Sequence, residues 1–254
     1  MAAVGVGDTT ARWTRNRRPR AGAAVNLVCL PHAGGSAGFY RGWHDLLPRE
    51  VDFHAVQYPG REDRLTEASV GTMAEMADAV TEAIRPLFAR DVVLFGHSMG
   101  AAIAYEVARR CEAEGRFPRL LLVSGRGAPH RQPPGTMHQG TDDEIVARLR
   151  EFSATSGAAL DDPDLRALLL PMIRADYRLV ETYRLERPEP VRAPIAVLRG
   201  RADDRVDEER AEAWSELTTA DCEHRLFDGG HFYLQQHETQ VVRTVAELVG
   251  KALR

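Results

Sequence analysis

From residue 25 onward, the chain alternates between short apolar runs and longer segments in which apolar residues recur at helical spacing. Several of the short runs are almost continuously apolar, which is typical of parallel β-strands whose two faces are both covered. The six runs that predict strands lie at residues 25–31, 52–59, 91–97, 119–125, 194–200 and 223–230.

Apolar stripes with helical periodicity occupy the segments between these strands. One stripe consists of Met73, Met76, Ala77, Val80, Ile84 and Leu87, and another, near the C-terminus, consists of Val241, Val242, Val245, Leu248 and Val249. This alternation of strand and helix predicts an α/β fold with a mostly parallel central sheet and helices on both faces. No internal repeat or low-complexity tract interrupts it.

The segment at residues 127–190 breaks the alternation, because it contains no convincing strand. Thr141 and Glu144 have the spacing of a capping box at a helix start. A long helical pattern follows, with Pro163 at a plausible first position and Pro171 as an expected kink or break. Since ligands of α/β proteins bind at the carboxyl edge of the sheet, we predict that this helical insertion is a lid. Decoration of the fold without function is the alternative.

Residues 1–24 precede the pattern, and we predict a flexible leader there, followed by one folded domain over residues 25–254. The leader lacks the apolar core that a secretory signal carries behind its basic residues, which predicts a cytoplasmic protein. A nucleic-acid-binding arm is the alternative, but the rest of the chain is not basic enough to support one. The arginines in question are Arg12, Arg15, Arg17, Arg18 and Arg20.

Composition narrows the class of protein further. The 254 residues, 44% of them hydrophobic, suffice for one large domain with a buried core. A formal net charge of −4 argues against binding to nucleic acid or to a membrane surface, and the longest apolar runs are too short to span a bilayer. Cys29, Cys111 and Cys222 are odd in number and widely spaced, which favours a reducing compartment and predicts no metal site.

The stretch Gly96-His97-Ser98-Met99-Gly100 stands between a predicted strand and a predicted helix and fits the pattern G-x-S-x-G. In a nucleophile elbow the serine occupies a strained turn at a helix N-terminus, where the helix dipole and free N–H groups favour a developing negative charge. An ordinary strand-to-helix turn is the alternative. The strand and helix on either side favour Ser98 as a nucleophile.

A serine nucleophile needs a base, and the base needs a carboxylate that orients it. His231 follows the last predicted strand in a glycine-containing loop, whereas His224 lies inside that strand and His237 in the final helical pattern. We therefore predict His231 as the base. The acid is expected after the strand at 194–200, where Asp203 and Asp204 are adjacent and spacing does not separate them.

Attack of the serine on a carbonyl group produces an oxyanion, and two backbone N–H groups are expected to stabilise it. One is that of Met99, directly after the nucleophile. The other is that of Ala33, in the glycine-containing loop at residues 30–38 that follows an early strand. This loop lacks the patterns of phosphate-binding loops, and a plain glycine turn is the remaining alternative.

Five segments together resemble the type II thioesterases, which are discrete enzymes that accompany polyketide and nonribosomal peptide synthases; the similarity is greatest to the rifamycin-type editing enzymes. The segments are LVCLPHAGGSAGFY, VQYPGREDRL, LFGHSMGAAIAYEVA, LLLPMIRADYRLVETY and FDGGHFYL. The resemblance begins near residue 25 and runs to the C-terminus. It implies an α/β-hydrolase fold, because that is the fold of the family.

The resemblance also implies roles for particular residues. The family pattern G-x-x-D matches residues 200–203 and implies Asp203 as the acid, with Ser98, His231 and the N–H groups of Ala33 and Met99 in the roles given above. The implied substrate is an acyl group on the phosphopantetheine arm of a carrier protein. The implied partners are therefore acyl or peptidyl carrier domains, and no soluble cofactor or metal is expected.

Residues of the insertion are expected to shape the acyl pocket: Phe152, Met172, Tyr177 and Tyr183. Packing within the insertion itself is the alternative. Because carrier proteins are acidic, exposed arginines are expected near the entrance, and Arg61 and Arg64 could supply them. A role of their motif in bracing the loop at residues 30–38 is the alternative to this surface role.

Two other functions share these residues. A carboxylesterase or lipase of the same fold would use the same three side chains, and only relative rates on matched esters and thioesters separate it from a thioesterase. A noncatalytic binding protein of this fold usually lacks one of the three residues, whereas here all three positions are filled.

Overall fold

The computed structural model describes residues 6–152 and 160–254, with side chains at 9–151 and 160–254. In this part of the chain, seven strands form one sheet. The strands are β1 (Thr14–Arg15), β2 (Val25–Leu30), β3 (Val51–Val56), β4 (Asp91–His97), β5 (Leu120–Ser124), β6 (Ile195–Gly200) and β7 (Cys222–Phe227). They lie in the order β1-β3-β2-β4-β5-β6-β7, and only β1 is antiparallel to its neighbour. All six predicted strands are confirmed.

Helices cover both faces of this sheet, as predicted. The α-helices are α1 (Val6–Trp13), α2 (Trp43–Leu46), α3 (Met73–Ile84), α4 (Met99–Ala113), α5 (Asp142–Phe152), α6 (Pro163–Thr182), α7 (Glu208–Glu212), α8 (Tyr233–Gln236) and α9 (Glu238–Ala252). The apolar stripe of α3 packs with α4 in one buried cluster, and the stripe of α9 packs with α2 in another. Alternate residues of the strands point into each cluster, so the sheet is buried on both sides.

The N-terminal segment differs from the flexible leader that the sequence predicts. In the structure α1 leads directly into β1, which pairs with β3 through Thr14 and Val56. Arg15 lies 2.5 Å from Asp63, and Arg20 donates to backbone carbonyls, including that of Val51 at 2.9 Å. The described part of this segment is therefore an edge of the domain, held by hydrogen bonds that its polar composition did not reveal.

The insertion between β5 and β6 contains α5 and α6 and, in its described residues, no strand. Thr141 and Glu144 form the predicted capping box, and α6 begins at Pro163 as predicted. The helix continues through Pro171, so the break that was one of the expected outcomes there does not occur. The two helices share a small apolar cluster of their own, which includes Ile145 and Ile173.

Parallel strands place the loops that carry the predicted site residues at one edge. The loops after β2, β4, β6 and β7 all leave the carboxyl ends of parallel strands of this sheet, and they contain Ala33, Ser98, Asp203 and His231. Ligands bind at this edge in α/β proteins. In the described residues, no helix is both long and apolar enough to cross a membrane.

Candidate active site

Ser98 occupies the turn between β4 and α4 with φ 54° and ψ −112°, a conformation that L-residues rarely adopt. Its N–H donates to the carbonyl of Ser124 at 2.8 Å, which ties the turn to β5. A Cβ on Gly96 would lie 2.1 Å from the carbonyl oxygen of Gly100, and one on Gly100 would lie 2.1 Å from that of Leu30. Both glycines are therefore required for strand and helix to approach this closely around the serine.

The turn places Ser98 at the N-terminus of α4, a helix of 15 residues. Met99 is the first residue of that helix and is buried. The N–H groups of a helix's first turn have no intrahelical acceptor, and the helix dipole adds partial positive charge there. The surroundings of Ser98 thus favour negative charge.

The loop after β7 brings His231 to Asp203. Nδ1 of His231 donates to Oδ2 of Asp203 at 2.8 Å, and both side chains are buried. The other oxygen, Oδ1, accepts from the N–H of Arg205 at 3.1 Å. Asp204, which the spacing left as an alternative, is exposed. A buried carboxylate on Nδ1 fixes the imidazole's tautomer and leaves Nε2 as the atom able to accept a proton.

Two further histidines pack beside His231. The ring centroids of His97 and His231 are 4.9 Å apart, and the ring centroids of His32 and His97 are 5.9 Å apart. Nδ1 of His97 is 2.9 Å from Oγ of Ser124, which in turn is 2.7 Å from the hydroxyl of Tyr233. Burial lowers the pKa of His97 well below its ordinary value, and burial together with His231 and Arg61 lowers that of His32 to about 3. Both rings are therefore neutral at physiological pH.

A cavity of about 540 Å³ lies between the carboxyl edge of the sheet and the insertion. Ser98, His231 and Ala33 line it on the side of the sheet. Met172 and Tyr177 of α6 line it from the insertion, as predicted. The structure thus brings the predicted nucleophile and base to one cavity.

Two other residues, Tyr183 and Phe152, were also expected in the pocket, and the structure confirms neither expectation. Tyr183 packs against the main core, and its hydroxyl donates to Oε1 of Glu106 at 2.6 Å. It therefore neither lines the cavity nor packs within the insertion, so both expectations for this residue are wrong. The side chain of Phe152 lies outside the described residues.

Charged groups also line the cavity, and no sequence pattern indicated them. Arg126 and Arg205 lie on the wall beside apolar residues, and both are in loops at the carboxyl edge of the sheet. Nε of Arg126 is buried with no hydrogen-bond partner among the described residues, and burial lowers the pKa of this guanidinium to about 10. The side chain remains cationic at physiological pH, so the cavity is polar as well as apolar.

Arg61 and Arg64 are both buried, so the expectation that they are exposed near the entrance is wrong. Nη1 of Arg64 donates to the carbonyl of Gln57 at 2.7 Å, and its guanidinium lies over the ring of Trp13. Nη1 of Arg61 donates to the carbonyl of Gly35 at 2.9 Å. The alternative interpretation, that this motif braces the loop at 30–38, matches these contacts.

Asp176, which sequence reasoning missed, completes this arrangement from α6. Its carboxylate accepts from Nη1 and Nη2 of Arg61 at 2.8 and 2.9 Å, and from the N–H of Gly34 at 2.8 Å. A carboxylate on the buried face of a helix was the available signal, because such a group is rarely buried without a partner. The sequence did not identify that partner, which lies 115 positions away.

A comparison with protein families identifies a thioesterase domain over residues 25–249. A probable cadicidin biosynthesis thioesterase of Streptomyces griseus is 40% identical over 240 residues; the match covers 94% of this chain and 66% of that protein. Thioesterase PikA5 of Streptomyces venezuelae is 37% identical over 238 residues, which cover 92% of this chain and 84% of that protein.

Solved structures agree with this result. The type II thioesterase BorB from the borrelidin biosynthetic cluster is 41% identical and superimposes with a TM-score of 0.86, with all of both chains covered. This similarity in backbone structure and in sequence confirms the predicted α/β-hydrolase fold.

Proposed function

The chain belongs to the thioesterase domain family, and from that premise we propose that it is a type II thioesterase of a polyketide or nonribosomal peptide synthase. It is a hydrolase that acts on thioesters. In the proposed function it releases stalled or aberrant acyl groups from the phosphopantetheine arms of carrier domains. The pathways named for the relatives at 37–41% identity support this assignment.

In the proposed mechanism Ser98 is the nucleophile. Nε2 of His231 takes the proton of the Ser98 hydroxyl as Oγ attacks the thioester carbonyl carbon, and Asp203 stabilises the imidazolium that forms. The hydrogen bond between His231 and Asp203 supports these roles, as does the shared cavity of His231 and Ser98. The attack converts the carbonyl into a tetrahedral oxyanion.

The N–H groups of Met99 and Ala33 are the proposed donors to that oxyanion. Met99 opens α4 directly after the nucleophile, and Ala33 lines the same cavity from the loop after β2. Donors that are already held in place cost no reorganisation when charge develops, and this makes them effective.

Collapse of the first intermediate breaks the carbon–sulfur bond, and the pantetheine thiol leaves with the proton held by His231. A water molecule then attacks the acyl-serine ester while His231 takes its proton. The second collapse releases the carboxylic acid and returns the proton to Ser98. These steps use only side chains, backbone N–H groups and water, so we propose that no cofactor or metal takes part.

The observation that carries the proposal is the joint position of Ser98 and His231 on one cavity, with His231 hydrogen-bonded to buried Asp203. The direct test is incubation with carrier protein loaded with acetyl, propionyl and longer acyl groups, followed by intact-mass analysis. Wild-type protein is expected to restore the free thiol, and Ser98→Ala to lower the rate at least about 10³-fold. Ser215→Ala, at an exposed serine, is the matched control.

Near wild-type turnover by Ser98→Ala would refute the nucleophile and with it the mechanism. A matched oxygen ester of the same acyl group tests the remaining alternative, since a carboxylesterase would hydrolyse it faster than the thioester. Absence of labelling by a serine-directed phosphonate would favour a noncatalytic binding protein. Retention of full activity after treatment with a chelator is expected.

A further inference from the structure

Three chain segments meet at one buried ion pair beside the loop that carries Ala33. Asp176 comes from α6 of the insertion, Arg61 from the loop after β3, and Gly34 and Gly35 from the loop after β2. Arg61 and Asp176 are 3% and 2% exposed. The pair is therefore removed from water, where a planar guanidinium and a carboxylate form two parallel charge-assisted hydrogen bonds.

The hydrogen bonds of this pair extend to the backbone of the loop on both sides of Gly34. The N–H of Gly34 donates to Oδ2 of Asp176, which fixes the peptide plane between Ala33 and Gly34. Nη1 of Arg61 donates both to that same oxygen and to the carbonyl of Gly35. The Ala33 N–H belongs to the preceding peptide, whose carbonyl oxygen accepts from the N–H of Gly35 at 2.9 Å. Its direction is therefore set within the turn that Asp176 and Arg61 hold at Gly34 and Gly35.

The helix that supplies Asp176 also forms a wall of the cavity. Met172 and Val180 lie one helical turn before and after Asp176, and both line the cavity. Residues four positions apart share one face of a helix, so the acyl-facing side chains and the carboxylate are carried by the same rigid face. Separating α6 from the loop would leave two buried charges without their counter-charges, which is strongly unfavourable.

We propose that Asp176 and Arg61 are positioning residues for thioester hydrolysis, which hold the Ala33 N–H towards the oxyanion and link it to the acyl-lining helix α6. This inference rests on the proposed function for the identity of the oxyanion donor. The consequence is a separation of kinetic effects. Loss of the pair lowers kcat, because the oxyanion is poorly stabilised, and leaves KM nearly unchanged, because the cavity wall is retained.

Two variants test this. In Asp176→Asn the amide oxygen can still accept from Gly34, but Arg61 loses its counter-charge. The Arg61→Met/Asp176→Leu double variant removes both charges and keeps similar volume, and replacing a buried ion pair by apolar groups is often neutral for stability. Asp142→Asn is the matched control. It breaks a different ion pair of α6, the one between Arg174 on that helix and Asp142.

The double variant is expected to stay folded at the assay temperature, with some loss of stability because the Gly34 N–H and the Gly35 carbonyl lose their partners. We expect kcat to fall roughly 10- to 100-fold and KM to stay within about twofold, since loss of one oxyanion donor costs up to about 10³-fold. Labelling of Ser98 by a fluorophosphonate is expected to slow by the same factor as kcat. Asp176→Asn should lower kcat less, and Asp142→Asn should leave kcat and labelling unchanged.

A folded double variant with wild-type kcat overturns the proposal, and so does a rise in KM alone, which would assign the pair to acyl binding. A loss of kcat that disappears when both variants are assayed well below their melting temperatures also overturns it, because the loss would then reflect unfolding. If wild-type protein fails to hydrolyse carrier-bound thioesters, the proposed function fails. The labelling rates of wild type and double variant would still decide the positioning role.

Discussion

Asp203 accepts a hydrogen bond of 2.8 Å from Nδ1 of His231, while Asp204, its neighbour in the chain, is exposed. The two aspartates are chemically identical, and the sequence places both directly after β6. Spacing does not separate them. In the structure the direction of the backbone after Gly200 does, because it turns one carboxylate into the protein and the other outwards.

Replacing each aspartate separately tests this difference. Asp203→Asn is expected to lower kcat by about 10⁴-fold, because an amide favours the wrong tautomer of His231 and does not stabilise the imidazolium. Asp204→Asn should retain kcat within about twofold. Both constants come from steady-state hydrolysis of one acyl thioester, with circular dichroism as the folding control. Inactivity of the Asp204 variant alone would transfer the role to that residue.

Backbone strain at Ser98 predicts a conflict between stability and activity. Ser98→Gly is expected to raise the free energy of unfolding by on the order of 1 kcal/mol relative to Ser98→Ala, because glycine tolerates the positive φ that both serine and alanine strain against. Urea unfolding of the two inactive variants measures the difference. Equal stabilities would show that the turn carries no strain at this position.

The close approach of α4 to β2 predicts a severe effect at Gly100. Gly100→Ala is expected to lower the free energy of unfolding by at least about 3 kcal/mol, since the new Cβ would lie 2.1 Å from a backbone oxygen of Leu30. Gly250→Ala is the control, because a Cβ there meets nothing within 4 Å in helix α9. It should raise stability by up to about 1 kcal/mol. Similar melting temperatures for the two variants would contradict the prediction.

Buried neutral His97 predicts a loss of stability in acid. Burial lowers the pKa of His97 in the folded protein. Below pH 6.5, about the pKa of this histidine in the unfolded chain, the unfolded chain therefore binds a proton that the folded protein does not. The stability that this histidine contributes is complete above that pH and falls as pH decreases, by at most about 1.4 kcal/mol per pH unit. The free energy of unfolding of His97→Gln should depend less steeply on pH between pH 7 and pH 5 than that of the wild-type protein. Identical slopes in urea unfolding for the two proteins would contradict this.

The N-terminal segment and the arginines of the YPGREDR motif show where local sequence is insufficient. A strand of two residues, Thr14 and Arg15, carries no periodicity, and its pairing with β3 depends on an edge that exists only once the sheet has formed. Arg61 and Arg64 are typical of exposed surface by residue type. They are buried because Asp176 and the carbonyl of Gln57 supply their hydrogen-bond partners.

The sequence by itself determined the strand and helix alternation, the turn that bears Ser98 and the position of His231 in a loop after the last strand. These depend on apolar periodicity and on glycine placement, which act over a few residues. Tertiary structure alone decided that α6 reaches the loop of Ala33 through Asp176, and that Tyr183 packs against the main core. It also shows that Asp203 meets His231, which spacing left open and the family resemblance implied. Each of these depends on which side chains meet across distant parts of the chain, and a local pattern contains no information on such distances.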